Sequence, residues 1–406
     1  MALTIVDPEL FGVTEESCTV TFAVHDASGP VDAPARVLVD GVPRATSAGV
    51  RGTRLVRVEG LTPATRHRID VVAGGGARAE PDRFFPGVVD TLPACDARPV
   101  ASFATLNDLH FGEERFGGVL LADGSYGDEA PGHPVAHESD GDVPYWRAMN
   151  EDAIADINAA GVDFVVIKGD IADRGRREQF AAARETFARF ATPWHALLGN
   201  HDHYALLEGD EVDGYELLGE PRAPRTIDVA GWRLVLVDTV EPGAHHGVFP
   251  DERLRWLESE LEDARERRLP TLVFMHHQPV PPEFADRFPN TIGIVPAHST
   301  RMFELFGRHP QVRAVLIGHT HQNRVRRHPR AGTVPFVEVS CVKDYPGSFA
   351  HYRLYEDGSL RQEVRRIGSA RALAHSTRCR DFFAGGYRRF ALGSLADRSF
   401  VVDGRG

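Results

Sequence analysis

The chain is 406 residues long, 42% hydrophobic and 26% charged, with a net charge of −12. That length exceeds what one hydrophobic core ordinarily supports, so two or more domains are expected, and the apolar and charged fractions are those of a soluble globular protein. The acidic balance argues against a non-specific nucleic-acid surface, which needs clustered Lys and Arg, and no apolar stretch approaches a membrane span.

All but two of the 46 basic residues are arginine, the exceptions being Lys168 and Lys343, so individual arginines carry little weight. The N-terminal stretch MALTIVDPELFG has neither the basic start nor the sustained apolar core of a signal peptide. Cys18, Cys95, Cys341 and Cys379 lie far apart and form no C-x-x-C pair. Free thiols in a reducing cytosol, and so a cytoplasmic location, are expected, with a Cys18–Cys95 bridge as the lesser alternative.

Residues 1–96 show short alternating runs, SCTVTFAVHD, ARVLVDG and TRLVRVEG, broken by Gly, Pro and Asp. This predicts an all-β sandwich domain. From 97 to 366 strand-length apolar runs alternate with helical patterns, which predicts a second, α/β domain. Five of those runs stop at polar residues: FATLNDLH (Asp108, His110), VVIKGD (Asp170), ALLGNHD (Asn200, His201, Asp202), LVFMHH (His276, His277) and AVLIGHTH (His319, His321). A helix near 146–160 carries Met149, Ala153, Ile154 and Ile157 on one face, with Gly161 to end it. Phe180, Phe187 and Phe190 mark a second helix, whose aromatic stripe is read as core, and Leu254, Leu257 and Leu261 beside Trp256 mark a third. Residues 333–366 return to strands. The long loops 113–145 and 278–297 lack periodicity and are read evenly as lids or as plain surface. Residues 367–406 form a C-terminal tail free to dock on the domain or on a second subunit, which leaves a homo-oligomer open.

Strands that deliver Asp, His and Asn from their C-terminal ends to one edge of a sheet build a metal site, and carboxylate with imidazole but no thiolate suits Mn, Fe, Zn or Co. The five motifs, in this order, resemble the calcineurin-like metallophosphoesterases, whose signature is D-x-H, G-D, G-N-H-[D/E], a His, then G-H-x-H. They span Asp108 to His321 without a gap. The resemblance implies a metallophosphoesterase αββα layered sandwich, here preceded by the β-sandwich. It implies one metal ion held by Asp108, His110, Asp170 and His321, and a second held by Asp170, Asn200, His276 and His319, with Asp170 bridging. Two divalent ions in such a site clamp the entering and leaving oxygens and supply a hydroxide at neutral pH.

By the same resemblance His201 faces substrate and protonates the leaving alkoxide, and Asp202 is placed to orient it. The bland alternative for His201 is a structural histidine. Adjacent side chains on a strand point to opposite faces, so one of His276 and His277 is ligand and the other packing. His276 is chosen because the family places its ligand first. His203, His245 and His246 lie on loops near the motifs and are read mainly as solvated loop histidines, with phosphate contact the lesser alternative, and Lys343, after a late strand in SCVKDYPGS, is a minor candidate to line the pocket. The stretch LTPATRHRIDVVA resembles a segment of fibronectin type III domains: Leu61, Pro63 and Thr65 match, and His67 stands where the tyrosine of the corner would be.

Purple acid phosphatases also join a fibronectin-like domain to this catalytic fold. They have D-x-G where this chain has His110, and G-D-x-x-Y where it has Asp173. The resemblance is closer to the small-molecule phosphodiesterases. It implies a dinuclear phosphodiesterase acting on a small-molecule phosphoester, and the composition adds the expectation of no nucleic-acid or membrane partner. A phosphomonoesterase of the same fold is the alternative, and a nuclease or a non-catalytic metal-binding scaffold comes behind it.

Overall fold

Period-two burial shapes the first ninety residues. In Arg66–Ala73 the side chains of His67, Ile69 and Val71 turn inward, and in Arg54–Glu59 those of Arg54, Val56 and Val58 do. Thr4–Val13, Ser17–Asp26, Gly29–Pro30 and Arg54–Glu59 make one antiparallel sheet, and Val42–Ser47, Ala35–Val39, Arg66–Ala73 and Val88–Asp90 make another. Val20, Phe22, Val37, Ile69 and Val71 fill the space between them. At the altered corner His67 Nδ1 meets Asp40 Oδ2 at 2.7 Å, and Nε2 lies 3.4 Å from the Thr62 carbonyl. All four cysteines are free.

The computed structural model describes residues 2–117, 119–120, 126–127, 136–137, 143–281, 283, 293–383 and 385–404. The two long loops expected at 113–145 and 278–297 fall largely outside these residues, and with them their reading as lids.

Beyond the sandwich come two six-stranded sheets. The first runs Trp194–Leu197, Phe164–Lys168, Pro99–Leu106, Ser348–Tyr355, Leu360–Arg366, Ser399–Val402, with its first three strands parallel. The second runs Arg225–Val229, Trp232–Leu236, Thr271–Met275, Val312–Ile317, Pro335–Glu338, Arg324–Arg327, parallel through its middle. Central strands such as FVVIK, TLVFM and VRAVLI are buried along their whole length, as strands covered on both faces must be. Alternation then sorts the side chains. Leu272, Phe274 and Leu316 face the first sheet, where Phe274 meets Phe103 edge-on at 5.9 Å. Val273, Met275, Val315 and Ile317 face outward onto helices Asp251–Glu266 and Pro296–Gly307 through Leu257, Leu261, Met302 and Phe306. Helices Tyr145–Ala160 and Arg177–Phe187 cover the other outer face with Met149, Ile154, Ile157 and Phe180. The layers are αββα. Gly161 ends the first helix in the left-handed conformation (φ 66°), and Phe190 packs on Phe187 just beyond the second helix.

The last residues belong to this body. Ser399–Val402 pairs with Leu360–Arg366 as the edge strand of the first sheet, and Tyr387, Ala391 and Leu392 join the main core. The tail therefore docks on its own chain.

A buried polar knot joins the first strand of the sandwich to the layered body and its tail. Glu9 is 2% exposed and accepts from Tyr345 Oη at 2.6 Å, Arg388 Nε at 2.8 Å, Arg366 Nη1 at 3.2 Å and Thr21 Oγ1 at 3.1 Å. Burial alone would raise the Glu9 carboxyl, but Arg366 and Arg388 outweigh it and hold the group below the usual carboxylate range. Removing one member of such a buried pair typically costs about 3–5 kcal/mol, because the surviving charge stays buried and unpaired. Glu9→Gln is therefore expected to lower the melting temperature clearly near pH 7. A carboxyl with a depressed folded pKa contributes stability above its unfolded value, near 4.3, and loses it as pH falls through the folded value. The gap between wild type and Glu9→Gln should close in acid; a gap unchanged from pH 7 to pH 3 in thermal melts would refute this.

Candidate metal centre

The C-terminal ends of parallel strands from both sheets meet at one edge. Pro99–Leu106 leads to Asp108 and His110, Phe164–Lys168 to Asp170, Trp194–Leu197 to Asn200, Thr271–Met275 to His276, and Val312–Ile317 to His319 and His321. The chain turns sharply as it leaves these strands. Asp108, His110, Asp170, His319 and His321 all have φ between 45° and 69°, a left-handed conformation that costs a residue with a Cβ. Backbone bonds fix it: Asp108 N–H to Gly169 O at 3.0 Å, His110 N–H to Asp170 O at 3.0 Å, and Gly318 N–H to His276 O at 3.1 Å. Gly169 (φ 89°) permits the approach, since a Cβ there would fall 2.6 Å from His276 Nδ1.

All seven expected ligands converge. Asp108, His110 and His321 offer ligand atoms within 4.8 Å of one another, and so do Asp108, Asp170 and His276. His276 Nε2 lies 3.1 Å from Asn200 Oδ1, 3.3 Å from Asp170 Oδ2 and 3.2 Å from His319 Nδ1. His276 Nδ1 is held 2.8 Å from the Lys168 carbonyl, so Nε2 is the nitrogen presented to the site. His277 is also fully buried, but its Nδ1 sits 3.0 Å from Thr239 Oγ1, and its ring packs on His319 with centroids 4.6 Å apart.

The electrostatics are those of a site built around positive charge. Asp170 is fully buried in protein; burial would raise its carboxyl, yet His276 and His201 hold it well below the usual range. Burial would lower His276, but Asp170 and Asp108 keep it up at about 9. His110 is pushed well below the ordinary imidazole value by burial, then by His201 and Lys343. Among the described residues its Nε2 has no hydrogen-bond partner, and it lies 3.9 Å from Asp170 Oδ2. An orphaned, buried, neutral imidazole nitrogen aimed at a buried carboxylate is the donor set a divalent cation fills.

His201 lies at the mouth of the site, its ring 4.4 Å from that of His110. The expected contact from Asp202 is not made. Asp202 is fully buried and accepts three backbone N–H groups, from Ala172 at 2.7 Å, Gly199 at 2.8 Å and Ile171 at 3.2 Å. Both its oxygens are spent bracing the loops that carry Asp170 and Asn200. Burial, then repulsion by Asp170, pushes its carboxyl up to about 7. His201 Nδ1 instead meets the Asp173 carbonyl at 2.8 Å, with Asp173 Oδ1 at 3.7 Å. The residue that stands where G-D-x-x-Y has its tyrosine thus meets His201, the histidine expected to face substrate.

Among the loop residues, His245 Nδ1 bonds Tyr204 Oη, which also accepts from Asn200 Nδ2 at 2.5 Å. His203 and His246 are half-buried and belong to none of the ligand-atom groups found among the described residues. Lys343 Nζ is buried, 2.8 Å from Glu113 Oε1 and 3.7 Å from the centre of the Phe116 ring. Sequence reasoning missed Tyr204, Glu113 and Asp344 as neighbours of the site. Of these only Asp344 had a signal, its place beside the lysine of SCVKDYPGS.

Residues 101–323 match the family of the calcineurin-like phosphoesterases. The chain belongs to that family. As a calcineurin-like phosphoesterase it is a metal-dependent phosphoric ester hydrolase. It is 31% identical over 219 residues to the 3′,5′-cyclic adenosine monophosphate phosphodiesterase CpdA of Pseudomonas aeruginosa, covering 51% of this chain and 75% of that protein. It is 32% identical over 219 residues to the glycerophosphodiester phosphodiesterase GpdQ of Enterobacter lignolyticus (strain SCF1), covering 52% and 75%. The probable cyclic nucleotide phosphodiesterase syc0937_d of Synechococcus sp. (strain ATCC 27144 / PCC 6301 / SAUG 1402/1) is 28% identical over 210 residues, covering 50% and 77%.

The bracing geometry separates two adjacent residues of this phosphoesterase. Asp202→Asn turns one acceptor toward N–H groups as a donor, at a cost of about 1–3 kcal/mol. It is expected to lower thermal stability and metal affinity together. His201→Ala, at the mouth, should leave both nearly unchanged. Equal melting temperatures and equal metal affinities for the two variants would contradict the assignment.

Proposed function

We propose that this chain is a dinuclear metal-dependent phosphodiesterase that hydrolyses small-molecule phosphodiesters. The observation that carries the reading is the shared position of Asp170, whose Oδ2 lies 3.9 Å from His110 Nε2 and 3.3 Å from His276 Nε2, the latter nitrogen itself beside Asn200 and His319. Asp108, His110, Asp170 and His321 would hold one ion, and Asp170, Asn200, His276 and His319 the other, drawn from Mn, Fe, Zn or Co. Two such cations neutralise phosphate charge and bring water into reach of deprotonation at neutral pH.

The chain's own groups position the rest. With Nδ1 committed to the Asp173 carbonyl, His201 has Nε2 left to face the ester, and a protonated ring would donate from there to the leaving oxygen. Asp173 takes the orienting role first expected of Asp202. Tyr204 fixes the Asn200 amide by accepting from its Nδ2, which leaves Oδ1 toward the metal side. Asn107 Nδ2 and the His319 N–H both donate to Asp108, at 2.5 Å and 3.0 Å, and limit which way its carboxylate turns.

The diester preference rests on charge and on relatives. A monoester dianion gains from fixed cations beside the metals. Both lysines are already committed, Lys343 to Glu113 and Lys168 Nζ to the Ile317 carbonyl at 2.5 Å. The relatives CpdA and GpdQ are named as phosphodiesterases, one for a cyclic nucleotide and one for glycerophosphodiesters. The N-terminal sandwich we take as fibronectin type III-like. Four free cysteines suit a reducing, cytoplasmic compartment.

Elemental analysis after reconstitution is expected to give about two ions per protomer; one ion in fully active protein would sink the dinuclear reading. His201→Ala should lower turnover by about 10²–10⁴-fold on esters with poor leaving groups, and by much less on nitrophenyl esters, which need little protonation. Matched kcat/KM on bis-p-nitrophenyl phosphate and p-nitrophenyl phosphate tests the preference, and a higher value on the monoester would assign a phosphomonoesterase instead.

A further inference from the structure

We propose that Asp344 is a positioning residue for His321, and that the C-terminal segment holds it in place through Tyr387. Asp344 is fully buried. Its Oδ2 lies 3.2 Å from His321 Nδ1, and its Oδ1 accepts from Tyr387 Oη at 2.7 Å. A carboxylate on Nδ1 fixes the tautomer and the plane of the imidazole, so that Nε2 is the nitrogen turned to the metal side, 3.5 Å from Asp108 Oδ1. Lys343 Nζ, 3.4 Å from Asp344 Oδ2, balances the buried charge.

The spacing of His321, Cys341 and Asp344 would also satisfy a separate metal trio. The hydrogen bonding argues otherwise, because one Asp344 oxygen is taken by Tyr387 and the other by His321.

The segment that brings Tyr387 is anchored on both sides. Two residues beyond His321, the Asn323 N–H donates to the Ala391 carbonyl at 2.9 Å, and its Nδ2 donates to the same oxygen at 3.2 Å. The Val325 N–H donates to Asp397 Oδ1 at 2.8 Å. On the other side Arg388, next to Tyr387, bonds Glu9 of the first strand, and Arg398 donates to the Phe11 and Leu10 carbonyls at 2.7 Å and 2.9 Å. Tyr345, next to Asp344, reaches the same Glu9. Both neighbours of the Tyr387–Asp344 bond are thus tied to the N-terminal sandwich. This segment lies outside the stretch that matches the family. The inference rests on His321 being a ligand of the proposed dinuclear centre.

The test is a calorimetric titration of Mn²⁺ into metal-stripped, full-length protein. Tyr387→Phe removes one hydroxyl and keeps the ring. Loss of a partner of this kind typically costs about 10–100-fold in metal affinity. One of two binding steps should weaken by about tenfold in Tyr387→Phe and further in Asp344→Asn, with the other step unchanged and both stripped proteins still melting cooperatively. Activity of Tyr387→Phe should return at saturating Mn²⁺. Two wild-type steps that are both unaltered in Tyr387→Phe overturn the proposal alone, and so does an equal weakening of both steps, which would mark general destabilisation. If Tyr387→Phe does not fold, Asp344→Asn decides by the same criterion. Anything other than two Mn²⁺ per wild-type chain overturns the dinuclear reading itself.

Discussion

Asp170 and Asp108 are buried carboxylates brought to the same few ångströms, with imidazoles as their ion-pair partners. Burying a carboxylate is costly unless a positive charge or several N–H groups meet it. The fold answers that cost in layers. Backbone N–H groups of His201 and His319 donate to the two carboxylates, and side chains such as Asn107 close in behind them. Asp202 then ties together the backbones of Gly199, Ile171 and Ala172, on either side of Asp170 and Asn200. Each layer is polar and buried, so each needs the two apolar cores around it to exclude water and fix the geometry.

This arrangement explains which parts were legible in the sequence. A strand that ends in a polar group is visible as an apolar run with a stop, and the motifs at Asp108, Asp170, Asn200, His276 and His319 announce themselves that way. The αββα layering was legible too, because Leu272, Val273 and Phe274 alternate between cores as a strand's period of two requires. Asp202 was misread for a physical reason. A carboxylate next to a catalytic histidine looks like its partner, but at the start of a helical turn adjacent side chains diverge, and backbone N–H groups compete for the acid. Asp173 and Asp344 were not assigned roles because their partners, His201 and His321, are reached only through the turns of the fold. Glu9 was invisible as an anchor, since its arginines lie more than 350 residues away.

The polar knot at Glu9 changes how the N-terminal sandwich relates to the rest. A loosely tethered domain would leave solvated charges at its boundary. Here Arg366 and Arg398 are buried, and each would lose part of its partners with the first strand, Glu9 for one and the Leu10 and Phe11 carbonyls for the other, keeping Pro346 and Ser376 or Leu392 and Gly393. The sandwich supplies none of the expected metal ligands. Its contribution is to satisfy groups in the tail and in the strand Leu360–Arg366, which support the edge of the first sheet. A chain starting near Arg98 would therefore leave Arg366 without the carboxylate of Glu9 and Arg398 short of two acceptors, a harsher change than an uncovered apolar face.

Strain and electrostatics at the centre point the same way. Five expected ligands hold left-handed backbone, and the donor atoms face one another more than they face solvent. The backbone strain is a cost the folded chain bears with or without a cation, whereas the crowding of donor atoms is relieved by one. A ligand that binds the folded state alone stabilises it in proportion to the logarithm of its concentration over its dissociation constant. The proposed ions would then act on folding as well as on catalysis. The rigid cores make this coupling tight: turns packed between two fully buried sheets cannot relax outward when the cations leave. If the seven side chains hold the proposed ions, metal affinity would be a property of the whole layered body as well as of those side chains.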